Sequence, residues 1–254
     1  FKEKINLKNN LSISSMKKLN FHSHCVKEFQ NKYTIIKSGI RDLDKFIGGF
    51  KSGEINFIQG YKKIVLNIPY QICAKTYTTH HKNVIYIDGG MSFNPYIIAK
   101  YARKMEFDQR EALNHIYISR AFTIFQLTAL LHYKLERKII ECSPKIVIIG
   151  KFLDLYLDSD ISSSEADILM KNNLRKIKDI TKKYELVTIL SDFDTRTTIR
   201  KKVNRILYEN IDQIVKIKKI GQVISFNFEK KNSRNSFSII EKGQSRLNDF
   251  EMAM

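Results

Sequence analysis

The chain has 254 residues, 43% hydrophobic and 28% charged, which is enough to bury a sizeable core in one compact domain. Only 3 Pro and 10 Gly argue against long disordered linkers, and no uninterrupted apolar stretch approaches the ~20 residues of a membrane span. Lys and Arg number 44 against 26 Asp and Glu, a formal charge of +18 that attracts polyanions wherever the cations cluster.

The N-terminus lacks the apolar run and small-residue site of a signal peptide, so an intracellular compartment is expected: cytoplasm or nucleoid, or nucleus in a eukaryote. Residue 1 is Phe rather than Met, which leaves missing upstream sequence open, with Met16 as an alternative start. Cys25, Cys73 and Cys142 are odd in number and widely spaced, which suits buried thiols better than a disulfide framework. His22, His24 and Cys25 offer metal-ligand types, but no second pair follows at zinc-finger spacing and His80-His81 is an isolated doublet, so no metal site is expected.

Residues 1–33 are polar and basic, with weak helical periodicity over 16–29, and read as an N-terminal extension. The core domain is expected over 34–243 and a loose tail over 244–254. Within the core, Ile35-Ile36 is a short apolar run, 39–46 is amphipathic, and Gly48-Gly49 and Ser52-Gly53 punctuate turns before a strand at 54–59. A loop from Gly60 and a helix at 70–78 follow, then a strand at 83–88 and a helix at 94–104. The pattern continues with a strand at 115–119, a helix at 122–141, a buried strand at 145–149, a basic helix at 165–184 and a strand at 187–190. Short β-branched runs alternating with helices predict an α/β fold, a mostly parallel central sheet flanked by helices. Beyond Ile206 the texture turns to strands at 213–217, 222–228 and 236–241, which suits antiparallel strands near the C-terminus.

The segment SGIRDLDKFIGGFKSGEINFIQG, residues 38–60, resembles the start of the core domain in the RadA/RecA recombinase superfamily, and specifically its RadA-like proteins. YIDGGMSFNP (86–95) and NHIYISRAF (114–122) are similar to the family's next strands, and Gln71-Ile72-Cys73 to the helix after its phosphate loop. These matches are collinear, and they imply a RecA-type P-loop NTPase core.

The same resemblance marks what is replaced. A phosphate loop needs glycines whose N–H groups wrap the phosphates, a Lys to reach them and a hydroxyl residue for Mg²⁺. The matching stretch keeps Gly60 alone, with Lys62 and Lys63 inside it; Val65 stands for the second glycine, Leu66 for the lysine and Asn67 for the hydroxyl residue. The metal-organising Asp falls on Gly150 and the water-activating Glu on Gly90, leaving Asp88 as a strand-end residue that caps the following loop. With Lys, Asp and Glu positions all replaced, no catalytic residue and no bound cofactor are expected.

The family's DNA-contacting loops follow the strands ending near Gly150 and Leu190, on the carboxyl side of the sheet. The first, 158–165, is acidic and Ser-rich here. Near the second, Arg196, Arg200, Lys201, Lys202 and Arg205 cluster, and Arg175, Lys176, Lys178, Lys182 and Lys183 lie on the preceding basic helix. Clustered cations bind phosphates by releasing counterions. Phe193, Tyr208, Phe226 and Phe228 sit at strand-like positions and are assigned to the core rather than to base stacking. No Phe-x-x-Ala tether occurs in 1–37, so autonomous filament formation is not expected.

These features predict a non-catalytic RadA/RecA-like paralogue, accessory to homologous recombination and DNA repair. Its expected partners are DNA, single-stranded first, and a RadA-like recombinase or paralogue subunit. Two alternatives stay open: a pseudo-ATPase scaffold subunit of a larger protein or protein–RNA assembly, and an ATPase rearranged around Lys62 or Lys63.

Overall fold

The structure, a computed structural model, describes residues 33–158, 160–193, 200–230 and 233–240, with backbone alone at 200–204. The 16–29 periodicity, His22, His24, Cys25, Arg196 and the 244–254 tail lie outside the described residues. The chain divides into two compact units, residues 1–34 and 35–254.

The second unit is built on an eight-stranded sheet. Its approach is a two-residue antiparallel pairing of β1, Ile35–Ile36, with β2, Phe50–Lys51, around the short helix α1, Arg41–Ile47. Asp44 of α1 accepts the Ser38 N–H at 2.6 Å and the Gly39 N–H at 3.2 Å, which fixes the turn into the helix. Strand β3, Ile55–Gly60, then leads to α2, Lys62–His80, and strand β4, Val84–Asp88, to α3, Pro95–Lys104, and α4, Gln109–Asn114. Strand β5, Ile116–Arg120, precedes α5, Ile124–Ala129, which passes through a π turn at Leu130–Lys134 into α6, Leu135–Cys142. Strand β6 is Ile146–Gly150, α7 Ser163–Lys183, β7 Val187–Phe193 and α8 Arg200–Asn210. Strands β8, Gln213–Ile220, β9, Val223–Lys230, and β10, Ser233–Ile240, complete the sheet.

Across the sheet the order is β10-β9-β8-β3-β7-β6-β4-β5. Every pairing from β8 to β5 is parallel and the last three strands are antiparallel, as the sequence leads one to expect. Helices cover both faces, so β4 and β6 are buried at every position and carry continuous apolar runs. Alternate residues serve different cores. Ile55, Phe57, Ile85 and Ile149 face the layer of α5 to α8, whereas Ile58, Val84, Tyr86 and Ile148 face α1 to α3.

Two elements depart from the sequence reading for visible reasons. The expected helix at 122–141 contains the π turn because Leu127, Leu131, Leu135 and Ile139 all bury at intervals of four. Four residues overshoot an α-helical turn by about 40°, and the wider π turn takes up that drift. Residues 200–210, for which the sequence reading expects no helix and a strand-like Tyr208, form α8, since Ile206 and Leu207 bury one side of it against the core. Tyr208 accordingly lies on α8, while Phe226 and Phe228 are buried strand residues.

Candidate functional site

Ligands of open α/β sheets bind at the carboxyl ends of the parallel strands. At the end of β3, Gly60 has φ 123°, and a Cβ there would lie 1.9 Å from the Ile217 carbonyl oxygen of β8. Only glycine fits that approach. Tyr61 donates its N–H to the same oxygen at 2.8 Å, and α2 starts at the next residue. The expected open loop, with a helix from Tyr70, is therefore corrected: Lys62, Lys63, Leu66 and Asn67 all lie on α2. The stretch from Tyr61 to His80 holds no glycine to interrupt the helix, and Ile64, Val65, Ile68 and Ile72 bury along one side of it. Leu66 packs partly buried on the same core, and Asn67 is half-buried.

Lys62 and Lys63 are exposed in the first turn, which contains no acid and has no side-chain cap from Tyr61. The N-terminal end of a helix carries partial positive charge, so two lysines there make it strongly electropositive. Lys62 Nζ stands 5.5 Å from the centre of the Phe193 ring at the end of β7. Lys151 Nζ lies 5.1 Å from the same ring, and Lys219 Nζ 5.1 Å from the Tyr61 ring. Amines at the strand ends thus rest on aromatic faces.

Asp88, at the end of β4, is fully buried. Its carboxylate accepts N–H groups of Gly90 at 3.3 Å, Ser92 at 3.0 Å and Phe93 at 3.0 Å, plus the Ser92 hydroxyl at 3.1 Å, with Arg120 Nε 3.8 Å away. These bonds close the loop after β4, the capping role read from the sequence. A Cβ at Gly90 would meet the Lys151 side chain at 2.2 Å.

Gly150 pairs in register with Asp88, and a Cβ on it would lie 2.6 Å from the Tyr86 hydroxyl oxygen. Tyr86 stacks on Tyr70 with ring centres 6.4 Å apart and meets Phe93 edge-on at 4.9 Å. Burial pushes the Tyr70 hydroxyl up to about 12 and raises Tyr86 well above the ordinary tyrosine range, so both stay neutral. The space beside residue 150 belongs to an aromatic cluster.

Sequence reasoning missed Asp192, 1% exposed near the end of β7. Its carboxylate accepts the N–H of Leu153 at 2.6 Å and of Phe193 at 2.7 Å, tying β7 to the turn after β6. The available sign was an acid inside the apolar run TILSDF. Lys151, in that turn, forms an ion pair with Asp154. Both buried acids at the strand ends, Asp88 and Asp192, hold loops in place.

The basic candidates are distributed over adjacent helices. Arg175 is exposed on α7, and Arg205 is exposed on α8 with its Nε 4.0 Å from Glu209. Arg200, Lys201 and Lys202 form the first turn of α8, which packs against α7. Lys176 differs: it donates to Glu136 of α6 at 3.0 Å, alongside Lys183 at 2.8 Å and the Tyr184 hydroxyl at 3.1 Å. Those donors, Lys183 first, hold the Glu136 carboxyl down to about 2. In the acidic loop, Ser162 caps α7 by accepting the Glu165 N–H at 3.3 Å.

Among the described residues no helix is long and apolar enough to cross a membrane, and no group of three or more His, Cys, Asp and Glu could hold a metal. The family model Rad51 matches residues 27–197, a span that includes β3 to β7 and most of the site. No curated protein matches the chain.

Proposed function

The chain belongs to the Rad51 family of recombination and repair, with its RecA/RadA-type core, and from that premise we propose a non-catalytic member that binds DNA and a recombinase subunit rather than turning over ATP. The observation that carries this reading is the direct passage of β3 into α2 at Lys62. A phosphate cradle needs several free N–H groups in a glycine-rich loop. Here Ile64 and Val65, which would lie within that loop, are core residues, and Leu66 offers no charge. Mg²⁺–ATP does not fit this donor set, and the Tyr86 hydroxyl fills the room an acid at position 150 would need.

DNA is the partner the charge favours, because Arg175, Arg205 and the first turn of α8 put cations on adjacent helices. Fluorescence anisotropy of the full chain with labelled single-stranded DNA and with RNA, at low and rising salt, tests it. Saturable, salt-sensitive DNA binding without ATP hydrolysis is the expected result. Equal or tighter binding to RNA would favour the scaffold of a protein–RNA assembly, and absence of both DNA and recombinase binding would refute the reading.

A protein partner is favoured by a separate observation. Among the described residues strand β5 pairs with β4 alone, and its outer backbone groups suit another strand. Beside it lies a groove of about 480 Å³ lined by Tyr117, Ile118, Leu130 and Tyr133, with Ile118 45% and Tyr133 81% exposed. An extended apolar segment of a recombinase subunit suits such an edge and groove. Ile118→Glu is expected to abolish co-purification with the recombinase while leaving DNA binding intact.

A further inference from the structure

Helix α7 distributes its charge unevenly. It lies between α6 and α8 on one face of the sheet, with Met170, Leu174 and Ile177 buried beneath it. Lys176 and Lys183, on the flank toward α6, share the carboxylate of Glu136 as their ion-pair partner. On the opposite flank Lys171, Arg175, Lys178 and Lys182 follow at helical intervals and form one stripe. At ~1.5 Å of rise per residue the stripe runs for about 16 Å. Among the described residues none of these cations has an ion-pair partner, and Asp179 lies beside the stripe without pairing to it.

Folding does not call for this arrangement. Like charges three and four residues apart repel and weaken a helix. The helix dipole favours cations only in the last turn, which accounts for Lys182 but not for Lys171 or Arg175. Uncompensated charge on the flank facing α8, where Arg205 is also exposed, is matched by a partner with regularly spaced negative charge. The acids Asp158, Asp160 and Glu165 at the start of α7 repel such a partner from that end.

We propose that the α8-facing flank of α7 is a track for the phosphate backbone of single-stranded DNA, with Lys171, Arg175, Lys178 and Lys182 as its contacts and Arg205 at its side. The track lies along the helical layer rather than in the loops at the strand ends, and it rests on the nucleic-acid half of the proposed function. Contact is with phosphates, so binding is indifferent to base sequence.

The test compares three full-length proteins by anisotropy with a labelled oligonucleotide across a salt series. They are the wild type, a stripe variant (Lys171→Ala, Arg175→Ala, Lys178→Ala, Lys182→Ala), and a control that loses as many exposed cations on the other sheet face (Lys82→Ala, Lys100→Ala, Arg103→Ala, Arg110→Ala). Circular dichroism establishes that each is folded. Each single-strand phosphate contact contributes about 0.7 to the slope of log affinity against log salt. The stripe variant is expected to lose about 2–3 units of slope and at least about tenfold in low-salt affinity, with the control close to wild type. Wild-type binding that the stripe variant retains would overturn the track while leaving DNA binding standing, as would an equal loss in the control. A wild type that does not bind at low salt would overturn both. If the stripe variant fails to fold, Arg175→Glu with Lys182→Glu decides by the same criterion.

Discussion

The turn from β3 into α2 and the outer flank of α7 are both basic, yet they are built differently. At the turn, lysines stand above a packed junction: Gly60 is pressed on Ile217, Ile64 and Val65 are in the core, and Tyr86 fills the space beside Gly150. On the flank of α7 the cations extend from a helix whose packing does not use them. Apolar side chains at such a junction add burial and hold it closed. Charge that costs helix stability persists where a partner compensates it.

The contrast can be broken first at Gly60. Gly60→Ala is expected to destabilise the protein by about 3 kcal/mol or more, through the steric conflict with Ile217 and the left-handed backbone. Urea denaturation measures it, and a near-neutral result would mean the junction is looser than described. Gly150→Ala comes next, at about 2 kcal/mol, from its contact with the Tyr86 hydroxyl. Adding Tyr86→Phe should recover part of that loss, a coupling that a double-mutant cycle reads directly. Leu66→Lys places a charge against the core; it should cost about 1–2 kcal/mol and confer no ATP turnover.

The smallest effect sharpens the other side of the comparison. The Glu136 carboxyl is held down to about 2 from an ordinary 4.5 by Lys183, Lys176 and Tyr184. A depressed carboxyl contributes stability that is complete above the unfolded value and is lost as pH falls toward the folded one. Glu136→Gln should therefore remove the slope in stability between pH 4.5 and about 2, and its cost should be constant above pH 4.5 and vanish toward pH 2. A variant with the wild-type slope would mean that Lys176 and Lys183 are as unpaired as the stripe.

The parallel sheet was legible because β4 and β6 are nearly continuous apolar runs and alternate with helices, the pattern of a parallel sheet covered on both faces. The start of α2 was not. A family resemblance suggested a loop, while Ile64, Val65, Ile68 and Ile72 already carried helical spacing and no glycine stood in the way. Helix α8 was hidden because its basic first turn resembles a solvated loop, and among the described residues Ile206 and Leu207 mark its buried side. Asp192 was passed over because an acid within a strand marks a position but does not say which backbone groups it binds, and Leu153 comes from a distant turn. The stripe on α7 was partly visible: Arg175, Lys178 and Lys182 were picked out, but so were Lys176 and Lys183, and nothing in the sequence placed Glu136 beside those two.

The most direct test is a titration of the purified full chain with Mg²⁺–ATP by calorimetry, with turnover followed in the presence of single-stranded DNA. The account predicts no saturable heat at millimolar-range nucleotide and no phosphate release above background, while the same preparation binds DNA. Saturable binding with DNA-stimulated turnover that is lost in Lys62→Ala or Lys63→Ala would contradict it, because α2 would then have to open its first turns around a phosphate.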